Sequence, residues 1–171
     1  MHKIVATRLV PQCERICGNV IDRVTYDVLR GEATADHIDD SDFYFGGDVI
    51  LSFRKADSLF VSWGRIARWH DDTIYSLTLG TKSLFTPGGQ QSICANETKL
   101  WSSHIAQNVD AVALYGDNGV PFVLSIQTKS GTILIGTSYQ TRFGDGDDVF
   151  IAAGTKAIRS MSQIWQSKHK R

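Results

Sequence analysis

The chain has 171 residues and a mass of 18.9 kDa, enough for one well-buried domain and short for two. Apolar residues make up 42% and charged residues 21%, a globular composition that excludes a disordered chain. The formal net charge is zero, so no basic excess marks a phosphate binder, and no apolar run approaches the ~18 residues of a membrane helix.

The start, MHKIVATRLVPQCERIC, carries charge but no sustained apolar stretch, so it does not read as a signal peptide. Three cysteines, Cys13, Cys17 and Cys94, are an odd number and too few for a secreted disulfide scaffold, which points to a reducing cytoplasm. Cys13 and Cys17 are spaced for one face of a helix. His104 or Cys94 could complete a site, but structural zinc normally shows two ligand pairs and the sequence has no second Cys or His pair. Helical cysteines at this spacing are more often small core residues, so no metal is expected. CERICGNVIDRVTY (13–26) reads as a short amphipathic helix running into the strand RVTYDVL.

An acidic segment follows. Glu32, Asp36, Asp39, Asp40, Asp42 and Asp48 fall within it with no Lys or Arg between them, and Phe43, Tyr44 and Phe45 sit inside it. As a surface loop it would be solvated. As a functional loop it combines a negative field that steers a basic partner with aromatic anchors, which makes Asp36, Asp39, Asp40, Asp42, Phe43 and Tyr44 the candidate partner-binding residues. FYF is also able to begin a strand. The opposite sign gathers at the end of the chain, in Lys156, Arg159, Lys168, Lys170 and Arg171.

VILSF (49–53) and SLFVSW (58–63), separated by RKAD, predict a hairpin. RWHDDT then places His70 beside Asp71 and Asp72. That set could serve a general base in a hydrolytic or ligand-binding site, but it also reads as a polar turn between strands. TIYSLTL (73–79) predicts one more strand. FTPGGQQSICANET (85–98) is rich in Pro, Gly and polar residues and reads as a connector; its Asn96-Glu97-Thr98 sequon matters only in a secreted protein. Neither GGQQ nor FGGD has the context of a phosphate-binding loop.

The second half repeats the pattern of the first. WSSHIAQNVDAVAL (101–114) aligns without gaps on residues 13–26, placing Ile21 on Val109, Asp22 on Asp110 and Val24 on Val112, and predicts another short helix before a strand. FVLSIQ (122–127) and TILIGTS (132–138) predict a second hairpin. With one residue inserted, Leu51, Ser52 and Phe53 align on Leu124, Ser125 and Ile126, and Val61 aligns on Ile135. In RFGDGDDVFI, Gly144, Gly146, Asp148 and Phe150 fit part of a calcium β-roll repeat. Such a roll needs several stacked copies, so the stretch reads as a turn into the strand DVFIAA, with Asp145, Asp147 and Asp148 as an alternative polar set. A helix is predicted over 155–167, with Ile158, Met161, Ile164 and Trp165 on one face.

The expected class is α+β: one domain over 1–171, with antiparallel sheet of about seven or eight strands and a few short helices. Two similar units are expected at 13–79 and 99–153, joined by the connector 85–98. The order of the LSFRKADSLFVSW hairpin, LWSSHIAQNVDAV, the PFVLSIQTKSGTILIG hairpin and a last DDVFI strand is similar to that of bacterial polymorphic-toxin immunity proteins, over residues 13–153. The resemblance implies a non-enzymatic protein that binds a cognate toxin domain and occludes its active site; no cofactor and no nucleic-acid or membrane partner is expected. Immunity proteins often turn acidic surfaces toward basic toxins, which suits the acidic segment; the neutral net charge departs from the strongly acidic members. The alternative is a small-ligand binder or hydrolytic enzyme built on His70, Asp71 and Asp72.

Overall fold

The computed structural model describes residues 2–4, 9–29, 42–69, 72–85, 88–117, 120–137 and 149–153. In chain order the elements are β1 (His2–Ile4), α1 (Val10–Ile16), β2 (Ile21–Leu29), β3 (Asp42–Phe45), β4 (Gly47–Phe53) and β5 (Leu59–Trp69). They continue with β6 (Asp72–Gly80), β7 (Gln90–Cys94), β8 (Ala111–Asp117), β9 (Val120–Thr128), β10 (Gly131–Thr137) and β11 (Val149–Ala153). The strands form two antiparallel sheets, one of six strands in the order β1-β8-β9-β10-β11-β3 and one of five in the order β6-β5-β4-β2-β7.

Period-two alternation drives this. In β2, Val24, Tyr26 and Val28 are buried while Thr25, Asp27 and Leu29 turn to the other face. Val49, Leu51 and Phe53 of β4 do the same. Strands of the two sheets touch, β6 against β9 and β10 and β4 against β11. Their facing side chains merge into one core that includes Tyr26, Val49, Val61 and Leu79 from one sheet and Leu114, Leu124, Ile135 and Ile151 from the other. Gly47 is fixed by this geometry. Its φ is +152°, and a Cβ there would run into the Asp27 carbonyl oxygen.

The architecture is therefore mostly β, with one short helix among the described residues, rather than α+β with several. The short helix predicted at the start of 101–114 is instead a run of turns, while the strand predicted after it is β8. The Trp101 and Ser102 amides both donate to the Thr98 carbonyl, at 3.1 and 2.9 Å, and those of His104 and Ile105 both donate to the Trp101 carbonyl, at 2.7 and 3.1 Å. Buried Trp101 and His104 anchor these turns, and the intervening Ser102 and Ser103 are poor helix formers. The connector 85–98 contains a strand, β7, which pairs with β2. FYF lies in β3, which pairs with β11. The predicted helix at 155–167 lies outside the described residues.

Both hairpins form where expected, β4 with β5 and β9 with β10, but the alignment between them needs a shift. Val61 pairs with Val49, whereas Ile135 pairs with Leu124, so Val49 rather than Leu51 is the counterpart of Leu124. The extra residue therefore sits in the first hairpin's turn. With that correction, β2-β4-β5-β6 and β8-β9-β10-β11 are two meanders of the same order and register. The segments leading into them also pair with each other. Gly18 N–H donates to Val109 O and Ala106 N–H to Ile21 O, both at 2.8 Å, and Val20 bridges Asn108, its aligned counterpart. Gly18 and Ala106, also aligned, both have positive φ, at 78° and 62°.

Candidate functional site

The outer face of the five-stranded sheet carries a polar row that crosses every strand. Ser92 of β7 pairs with Asp27 of β2, and Asp27 pairs with Asp48 of β4. The β4–β5 register then brings Asp48 opposite Ser62, which pairs with Thr78 of β6. Asp48 is the centre of the row. It is a carboxylic acid with 0% exposure, and its Oδ1 atom has no hydrogen-bond partner among the described residues.

What covers Asp48 is the segment between β6 and β7. Ser83 Oγ donates to Asp48 Oδ2 at 2.5 Å and itself accepts from the Phe85 amide at 3.0 Å and from Gln90 Nε2 at 3.4 Å. The Ser92 hydroxyl donates to Asp27 Oδ1, and the Ser62 hydroxyl lies 3.4 Å from the Gly47 carbonyl oxygen. Burial raises the Asp48 pKa above its ordinary value. The Ser83 and Ser62 hydroxyls oppose that rise, and the negative Asp27 adds to it. The row can thus hold a proton or a hard cation, and it lies outside the acids expected from sequence to contact a partner. Its signal is the β4 alternation: if Val49, Leu51 and Phe53 face the core, Asp48 faces away. Nothing in the sequence announces that this second face is covered.

Of the partner-binding and catalytic candidates singled out from sequence, Asp42, Phe43, Tyr44 and Asp72 fall among the described residues. Asp36, Asp39 and Asp40 lie outside the described residues. Asp42, Phe43 and Tyr44 occupy β3, at the edge of the six-stranded sheet, opposite Ala152, Ile151 and Phe150. Phe43 thus holds a register position opposite a core residue, and Phe45, two residues on, is buried with its ring centroid 5.1 Å from that of Tyr26. His70 and Asp71 lie outside the described residues; Asp72 pairs with Trp69 at the end of the β5–β6 hairpin. Asp145, Asp147 and Asp148 also lie outside them.

A second titratable pair sits in the core. His104 Nδ1 is 2.8 Å from Thr128 Oγ1, both residues are buried, and burial lowers the histidine pKa. The Thr128 oxygen also accepts from the Ser130 amide at 3.2 Å. A base beside a hydroxyl is the start of a nucleophilic pair, but this hydroxyl is 1% exposed, so the contact serves to tie the turns at 98–106 to the β9–β10 hairpin. Cys13 is half-buried and its thiol is pushed up to about 11, while Cys17 and Cys94 are exposed. No group of three or more metal-ligating side chains occurs among the described residues, and no described helix is long and apolar enough to cross a membrane.

Comparison of the chain with protein-family models gives no match. Comparison with curated proteins and with solved structures gives none either.

Proposed function

We propose that the protein is an interaction module that neutralises a bacterial toxin domain by binding it and covering its active site, through the acidic segment and the strand that follows it. The observation that carries this reading is the place where the acidic segment joins the fold. It leads directly into β3, which among the described residues is an edge strand of the six-stranded sheet, so Asp42 and Tyr44 stand at a sheet margin. An acidic run without internal counter-ions that precedes such a strand in the sequence suits a basic partner, which it would attract from a distance. The similarity of chain pattern to polymorphic-toxin immunity proteins supports the same reading.

The test is charge reversal of Asp36, Asp39, Asp40 and Asp42 to Lys, assayed for protection of cells that express a polymorphic-toxin C-terminal domain from which the wild-type chain protects them. Loss of protection with an unchanged circular-dichroism spectrum and melting temperature is expected. Full protection by the folded variant would remove the acidic segment from the interface.

A further inference from the structure

We propose that the polar row of the five-stranded sheet is a cation site, in which the carboxylates of Asp27 and Asp48 hold a calcium-type divalent ion with help from neighbouring hydroxyls. The two acids are direct cross-strand partners, so their side chains leave the same face of the sheet side by side. Among the described residues neither has an ion-pair partner; the ion pairs there are Arg15 with Asp57 and Arg54 with Asp22. Asp48 is fully buried, and among the described residues one of its oxygens has no donor. A buried carboxylate oxygen without a donor is costly, and a second carboxylate beside it increases the cost.

The fold does not require acids at these positions. In the other meander the matching row is Tyr115, Val123, Gly136 and Phe150, paired in the same register. The six-stranded sheet thus builds the same geometry with an aromatic and an aliphatic residue where the five-stranded sheet has Asp27 and Asp48. What the acids add is oxygen: two carboxylates, the hydroxyl of Ser62 on one flank, and the hydroxyls of Ser83 and Ser92, which donate to the carboxylates and orient them. No thiolate or imidazole lies in the row, so a soft or borderline metal is disfavoured. Calcium accepts an irregular set of charged and neutral oxygens, whereas magnesium demands near-ideal octahedral geometry. The two negative charges balance one divalent ion.

The test is thermal unfolding of the full chain in EDTA and in about 10 mM calcium chloride, with magnesium chloride as a parallel arm and sodium chloride matching ionic strength. The wild type should gain roughly 5–10 °C in calcium, from ligand linkage at about 100-fold excess over a dissociation constant near 0.1 mM, and less in magnesium. Asp48→Asn and Asp27→Asn should fold but gain nothing, and calorimetric titration should show one calcium bound by the wild type and none by either variant. A wild type that ignores calcium, as a carboxyl that merely carries a proton would, overturns the proposal. So does a calcium response that survives in both variants, which would place the ion elsewhere, or a magnesium response equal to that of calcium.

Discussion

Each meander carries one row of four residues on its core face and one on its outer face, and the two faces behave differently. On the core side the rows match in kind: Tyr26, Val49, Val61 and Leu79 in one sheet, Leu114, Leu124, Ile135 and Ile151 in the other, all buried. On the outer side Asp27, Asp48, Ser62 and Thr78 stand where the other sheet has Tyr115, Val123, Gly136 and Phe150. In the second row the Phe150 ring lies over Gly136, leaving no room for a Cβ. The core constrains side-chain type because both sheets must bury the same face. The outer rows hold buried residues too, Asp48 and Ser62 in one sheet and Val123 in the other, yet they differ in kind, so the shared geometry does not dictate the acids.

The largest difference lies in the lead-in segments. Trp101 and Cys13 are aligned, yet Trp101 is 0% exposed and donates its indole N–H to the Tyr26 hydroxyl at 2.5 Å, whereas Cys13 is half-buried at the margin of the core. Trp101→Ala should cost about 3–5 kcal/mol, from the lost ring and from a buried Tyr26 hydroxyl deprived of its donor. Cys13→Ala should cost about 1 kcal/mol or less. Urea unfolding of both variants measures this, and equal losses would mean that the two segments carry the fold alike.

The next effect concerns the outer row. Folding raises the Asp48 pKa, so the folded state holds that proton more tightly than the unfolded chain does. The stabilisation this gives is fully present below the unfolded value of about 3.9 and is lost as pH rises through the folded value. In EDTA, Asp48→Asn should therefore melt above the wild type at pH 7, with the gap closing as pH falls toward 4. Melting curves across that range check it, and a variant less stable than the wild type at pH 7 would show that the ionised Asp48 is well solvated by its hydroxyls.

What was legible in the sequence follows the same division. Both hairpins and the strands of the two meanders follow from alternation such as Val49, Leu51 and Phe53, because burial of one face imposes a period of two. The helix expected at Trp101 failed because helical spacing of apolar residues cannot distinguish a helix from consecutive turns pinned by two buried side chains. Strand β7 was hidden because QQSIC, an edge strand beside β2, needs little apolar character. The buried row at Asp48 was hidden for a different reason. Alternation shows which residues leave the core but not that the segment carrying Ser83 folds back over them.

The smallest expected effect tests how alike the two lead-in segments are. Gly18 and Ala106 make the same hydrogen bonds, each to the residue aligned with the other's acceptor, and both hold a left-handed backbone. Glycine adopts that conformation freely, whereas an L side chain gives up about 1–2 kcal/mol. A Cβ on Gly18 would meet nothing within 4 Å, so Gly18→Ala should cost that conformational term less the freedom the unfolded chain loses, a net of about 0–1 kcal/mol. Ala106→Gly relieves the same strain but gives the unfolded chain more freedom, about 0.4–1 kcal/mol, so the net change should be close to zero. Unfolding of the two single variants and of the exchanged pair measures this. A large loss for Ala106→Gly would mean that the Ala106 methyl holds its segment by contacts that Gly18 does without.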